Sequence, residues 1–325
     1  MSSIAALAEN RIRVICGPTA AGKSAIAIAL GLERSATIIS ADSRQIYTGF
    51  DIGTAKPEPS ERRAVRHEGI DVVAPTERYS AARWAGQAAG WIQSARDSGR
   101  VPLLVGGTGF YLRALFEPLF KAPALDPDRR SVLEKFLSSR NPMELRRWCE
   151  MLDPPRAHLG RAQLIRAIET ALLSGRRISD LHRGAADAPN AQDSPHAAEQ
   201  ATVASRLQPR YLLVDPGGAL SLRIEQRVDR MLNAGWTDEV RALMTTVPSE
   251  APAWNASGYR MLRAFVDGDM RLSQARERII IETRQYAKRQ RTWFRHQLGT
   301  ASVARVNPDD PDCHATVERW WKESS

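Results

Sequence analysis

The 325-residue sequence predicts an α/β fold, a parallel sheet core with an inserted helical domain. Three observations carry that expectation. Short apolar runs alternate with helical segments over residues 11–105, a glycine-rich loop joins the first strand to the first helix, and residues 121–205 show no strand pattern before a strand resumes.

Residues 11–16 (RIRVIC) form an apolar run that ends in Gly17-Pro18, and 24–32 follow with alanines, isoleucines and leucines. That is strand, loop, helix. A second strand is expected at 37–40, a helix over 79–96, and a buried strand at 102–105 after the turn signal Ser98-Gly99. Strands separated by helices pair in parallel, because each crossover is long enough to lay a helix on the sheet. Residues 121–205 enter through APALDPD and continue as Arg-rich helical segments over 128–150 and 161–174. Their end, 184–205, is rich in Ala, Asp, Gln, Ser and Pro and reads as a mobile linker. A strand returns at 211–214. One long helix is expected over 221–244, with Val228, Met231 and Leu232 on one face and Arg223, Arg227 and Arg230 on another. A last helix over 275–297 spaces Arg284, Lys288, Arg291 and Arg295 by four, three and four residues, opposite Ile279, Tyr286 and Trp293. The expected organisation is therefore a core of 1–120 and 206–299, an insertion of 121–205, and a C-terminal tail of 300–325.

No apolar run is long enough to span a bilayer, and residues 4–8 are too brief for a secretory signal before Glu9, Asn10 and Arg11. A soluble, cytoplasmic protein without a membrane partner is expected. Cys16, Cys149 and Cys313 are far apart and form no CxxC pair, so neither a disulfide framework nor a zinc site is indicated. The net charge of +9 suits a polyanionic partner without identifying one. From Arg260 to Arg295, ten basic residues stand against Asp267, Asp269, Glu277 and Glu282. Such a stripe either meets phosphates or simply faces solvent.

Gly17-Pro18-Thr19-Ala20-Ala21-Gly22-Lys23-Ser24 fits G-x-x-x-x-G-K-[ST] between a strand and a helix, which makes the core P-loop NTPase-like. Its backbone N–H groups can cradle a diphosphate, Lys23 adds a point charge, and the Ser24 hydroxyl can ligate Mg²⁺. NTPases hold their magnesium shell with an Asp at the end of a core strand. Here the 102–105 strand ends instead in Gly106-Gly107-Thr108, and the acid stands after the second strand, at Asp42. A carboxylate at that edge suits either capping of the next turn or catalysis on a bound ligand.

Five ordered blocks make the pattern specific. GPTAAGKS, ISADSRQIYTGFDIGTAKP (39–57), GRVPLLVGGTGFY (99–111), RIEQRVDRML (223–232) and TRQYAKRQRTWFR (283–295) together resemble the tRNA dimethylallyltransferase (tRNA isopentenyltransferase) family. The resemblance implies transfer of a dimethylallyl group from dimethylallyl diphosphate to the N6 amine of the adenosine 3′ of the anticodon. It implies Asp42 as the base that takes the amine proton, with Thr108 and Arg223 beside the diphosphate and Mg²⁺ as cofactor. For tRNA it implies Asp42, Ser43, Arg44 and Gln45 around the target base, Gly258, Tyr259 and Arg260, and Arg284, Lys288, Arg289, Arg291, Trp293 and Arg295 on the last helix. In the insertion it implies Arg130, Gln163 and Arg166 near the anticodon stem-loop. The sequence departs from the family pattern at Gly160–Gln163, where Asn-Asp-x-x-Arg is usual, and at Met261, where Glu is frequent. A monomer is expected. Three other readings share parts of this evidence: prenylation of free adenine nucleotides, a small-molecule kinase or NTPase, and a non-catalytic RNA-binding protein. The insertion and basic stripe speak against the first, the missing strand-end acid against the second, and the pairing of the P-loop with Asp42 against the third.

Overall fold

A computed structural model describes residues 10–117, 123, 125–187, 207–298 and 303–323, with the backbone alone at 184–187. The chain divides into two compact units, Met1–Glu117 with Glu199–Ser325, and Pro118–Ala198.

The first unit is built on a six-stranded sheet in the order β3-β2-β4-β1-β5-β6, every pair parallel. The strands are β1 (Arg11–Cys16), β2 (Ala36–Ser40), β3 (Arg66–Glu68), β4 (Val101–Gly106), β5 (Gln208–Val214) and β6 (Val303–Val306). β2 is buried along its whole length, and Ile12, Val14 and Ile15 of β1 are likewise inaccessible. Continuous apolar runs of this kind suit central strands covered on both faces. Helices α1 (Lys23–Glu33), α2 (Pro59–Ala64) and α3 (Ala81–Asp97) lie between the first four strands in the chain, and α4 (Gly109–Phe116) follows β4. Because the sheet is parallel, the loops after β1, β2, β4, β5 and β6 all leave at its carboxyl edge.

The second unit holds α5 (Pro127–Ser138), α6 (Pro142–Leu152), α7 (Arg161–Ser174) and α8 (Ile178–Asp187) around Leu137, Leu145, Cys149, Leu164 and Ile168. The single helical segment expected over 128–150 is two helices. Asn141 caps α6 by accepting from the N–H groups of Met143 and Glu144, and Pro142 occupies the first turn, where its missing N–H is harmless. The expected linker begins inside structure, since Gly184–Asp187 complete α8; its residues 188–205 lie outside the described ones.

After β5 come α9 (Leu220–Asn233), α10 (Trp236–Thr246), α11 (Tyr259–Val266) and the 26-residue α12 (Leu272–Gln297). The long helix expected over 221–244 is thus broken. Gly235 takes φ +91°, a left-handed conformation that ends α9 and starts α10. The expected tail is also corrected. Residues 303–306 add β6 to the sheet edge beside β5, and α13 (Cys313–Lys322) buries Val317, Trp320 and Trp321 against Ile15, Leu30 and Leu212. Arg13 fastens that helix, donating to the Trp321 carbonyl at 2.8 Å with its guanidinium 4.4 Å from the Trp321 ring. Among the described residues no helix is long and apolar enough to cross a membrane.

Candidate active site

The glycine-rich loop leaves β1 at Gly17, where a Cβ would stand 2.2 Å from the Val214 carbonyl oxygen. Only glycine allows so close a passage beside β5. A cavity of about 590 Å³ opens over the loop and the start of α1, lined by Gly22, Lys23 and Ser24 on one side and Arg223, Arg227 and Arg230 of α9 on the other. Lys23 donates to the Pro18 carbonyl at 2.7 Å. Burial of its ammonium, reinforced by the neighbouring Arg227 and opposed by Asp42, pushes its pKa down to about 8. Arg223 forms an ion pair with Asp309, in the segment after β6. Arg227 makes no ion pair among the described residues; burial disfavours its charge and Asp42 favours it.

Asp42 stands one residue beyond the buried Ala41, where β2 leaves the sheet. Its Oδ1 accepts the Arg44 N–H at 2.8 Å, so one carboxylate oxygen shapes the turn, and among the described residues Oδ2 makes no hydrogen bond. The β4–α4 loop folds onto this turn. Thr108 donates its N–H to the Ala41 carbonyl at 3.1 Å and accepts the Ser43 N–H on Oγ1 at 3.0 Å. Tyr286 of α12 lies beside Thr108, and burial, with the charge of Asp42, pushes its phenol up to about 12. The charge of Asp42 thus bears on Lys23, Arg227 and Tyr286 alike, which puts the carboxylate near the P-loop at the carboxyl edge of the sheet.

The structure separates the other residues singled out from sequence. Gln45 is fully engaged, accepting from Ser40 Oγ at 2.9 Å and donating to the carbonyls of Ala55 at 2.9 Å and Thr54 at 3.3 Å. Tyr259, expected at the RNA, is completely buried. Its hydroxyl donates to Glu239 Oε1 at 2.7 Å, and its ring packs on Phe50, Trp236 and Trp254. The neighbouring Gly258 lies against Trp236, whereas Arg260 is exposed. The basic stripe of α12 is only partly free. Arg284 pairs with Glu225, and Arg291 makes two bonds to Asp215, at 2.9 and 2.5 Å, and one to the Gly217 carbonyl at 2.5 Å. Lys288, Arg289 and Arg295 stay exposed and join no ion pair among the described residues. Trp293 is half-buried against Gly109.

In the insertion, Gln163 caps α7 by accepting the Gly160 N–H at 3.2 Å. Arg130 and Arg166 converge on Glu169, whose side chain is 2% exposed, at 3.2 and 3.8 Å. Burial raises the Glu169 pKa and Arg130 opposes the rise. Arg227, Tyr286 and Gln290 were not singled out as site residues, although their spacing held a signal: Arg227 sits four residues after Arg223, and Gln290 four after Tyr286.

A parallel sheet that carries a glycine-rich loop and a helix N-terminus at its carboxyl edge, with arginines facing the loop, is the arrangement of a P-loop α/β protein. A model described as IPP transferase matches residues 45–297, and one described as isopentenyl transferase matches 10–72. The chain belongs to the IPP transferase family. It is 38% identical over 299 residues to a tRNA dimethylallyltransferase of a Synechococcus strain, covering 88% of this chain and 89% of that one. It is 36% identical to the tRNA dimethylallyltransferase of Deinococcus radiodurans, covering 96% and 98%. The crystal structure of the full-length tRNA isopentenylpyrophosphate transferase from Bacillus halodurans superposes with a TM-score of 0.62 at 30% identity, covering 96% of this chain and 98% of that one.

Proposed function

We propose that the protein transfers a dimethylallyl group from dimethylallyl diphosphate to the N6 amine of the adenosine 3′ of the anticodon in tRNA, releasing diphosphate. The observation that carries this reading is the juxtaposition of the P-loop cavity with Asp42, whose charge acts on both Lys23 and Arg227.

An adenine amine is a weak nucleophile, because its lone pair is delocalised into the ring. Asp42 Oδ2 takes its proton as the new C–N bond forms, while Oδ1 stays bound to Arg44 N–H and fixes the carboxylate. Negative charge grows on the diphosphate as the allylic C–O bond breaks. The loop N–H groups, Lys23, Arg227 and Arg223 stabilise that charge more in the transition state than in the ground state. Arg223 reaches the diphosphate by exchanging Asp309 for it. Thr108 holds the Asp42 turn in register. Magnesium fits the donor set, since it binds through few protein ligands plus phosphate oxygens and water. Ser24 would hold it in the cavity, where it would neutralise diphosphate charge.

For tRNA, Ser43 and Arg44 flank the base, Arg260 and the exposed Lys288, Arg289 and Arg295 meet phosphates, and Arg130 with Arg166 in the insertion forms a further anion contact. The protein acts as a cytoplasmic monomer. Incubation with labelled dimethylallyl diphosphate and either unmodified tRNA, AMP or neither tests the reading. Label should enter tRNA alone; label in AMP, or no transfer, would refute it.

A further inference from the structure

We infer that Gln290 is a positioning residue that locks the diphosphate cradle to the loop carrying Thr108. The helix with the basic face thereby sets the geometry of the reacting groups. The inference rests on the proposed roles of the P-loop, Thr108 and Asp42.

Gln290 lies on α12, one residue beyond Arg289, yet it is 6% exposed and points into the core. Its Oε1 accepts the N–H of Thr19, inside the P-loop, at 2.8 Å. Its Nε2 donates to the Gly107 carbonyl, in the β4–α4 loop, at 2.9 Å. One side chain thus ties together two loops that leave different strands. The space is made for it: a Cβ on Gly107 would meet Nε2 at 2.3 Å. The next residue is Thr108, which holds Ala41 and Ser43 on either side of Asp42. A path of hydrogen bonds, continued by the peptide bond from Gly107 to Thr108, therefore runs from Thr19 through Gln290 to the Asp42 turn.

The chemistry calls for an amide. Thr19 offers a donor and Gly107 an acceptor, so the bridging group must accept and donate from atoms one carbon apart. A carboxylate cannot donate, and a thioether does neither usefully. Loss of the bridge frees the P-loop and the Thr108 loop to move relative to each other. Displacement of reacting groups by about 1 Å can slow a reaction on the order of 10²-fold.

The test uses the full-length protein with Q290M, which keeps shape but removes both bonds, and Q290E, which keeps the acceptor. Single-turnover transfer at saturating tRNA and dimethylallyl diphosphate should fall roughly 10- to 100-fold in Q290M, with tRNA affinity unchanged within about twofold. Q290E should be comparably slow at about pH 8 and recover relative to the parent protein toward about pH 6, because a protonated carboxyl both donates and accepts and a buried one protonates readily. Simple packing predicts neither a rate loss in the isosteric Q290M nor pH rescue. A parental rate in folded Q290M, or a parental pH profile in Q290E, overturns the inference; if Q290M does not fold, the Q290E series decides alone. K23A is measured alongside. Unchanged diphosphate affinity in K23A would refute the P-loop reading itself, independently of Gln290.

Discussion

Thr108 Oγ1 accepts the backbone N–H of Ser43 at 3.0 Å, and this bond joins the loop after β4 to the turn that presents Asp42. Asp42 is held on both sides by the bonds of Thr108 to Ala41 and Ser43, and its carboxylate is fixed by its own bond to Arg44. A D42A variant should therefore lose transfer by about 10²–10⁴-fold while its diphosphate cradle stays intact. Single-turnover kinetics beside calorimetric titration of dimethylallyl diphosphate checks this. A near-parental rate would remove Asp42 from the mechanism.

Lys23 gives a pH dependence with a definite sign. Its pKa of about 8 means that the free ammonium loses its proton as pH rises through that value. Diphosphate favours the charged form, so its affinity should be full below about pH 7 and weaken toward about pH 9, by up to roughly tenfold per unit above the pKa. K23R, charged throughout, should flatten the profile. A parental slope in K23R would place the titration elsewhere.

The split of the basic face makes the next expectation selective. Changing Lys288, Arg289 and Arg295 to Gln should lower tRNA affinity and flatten its salt dependence, by roughly 0.7–0.9 in slope per lost phosphate contact. R284Q should change the slope less, because Arg284 is already neutralised by Glu225. Filter binding over a salt series measures both; equal slopes in the triple variant and the parent would mean that this face meets only solvent.

Tyr259 belongs to the core, so Y259F should act on stability. Its hydroxyl bonds to a carboxylate that also receives the N–H groups of Asp51 and Ile52, at 3.0 and 2.7 Å. Loss of one hydrogen bond to a charged group should destabilise the fold by about 1.5–3 kcal/mol. Urea unfolding reads that loss. tRNA affinity of the folded variant should stay within about twofold; a selective fall in affinity at parental stability would return Tyr259 to the RNA.

Removal of divalent cations tests the metal. Excess EDTA should suppress transfer and added Mg²⁺ restore it, and S24A should need more Mg²⁺ for half-maximal rate. Transfer that persists in EDTA would exclude magnesium from the reaction.

The sequence by itself determined the P-loop, the parallel sheet and the position of Asp42, because each is encoded within a few residues: a glycine spacing, an apolar run, an acid at a strand end. It determined the basic periodicity of α12 for the same reason. Only the tertiary structure decided which of those charges are free, since Arg291 meets Asp215 and Arg284 meets Glu225 from 76 and 59 residues away. It alone put Tyr259 in the core and made the four-residue β6 a sheet edge, because a short strand carries no periodicity and is selected by the neighbour it pairs with. Gln290 is the clearest case: its partners lie 271 and 183 residues distant, and nothing in a local pattern marks a polar residue that is buried because two loops close around it.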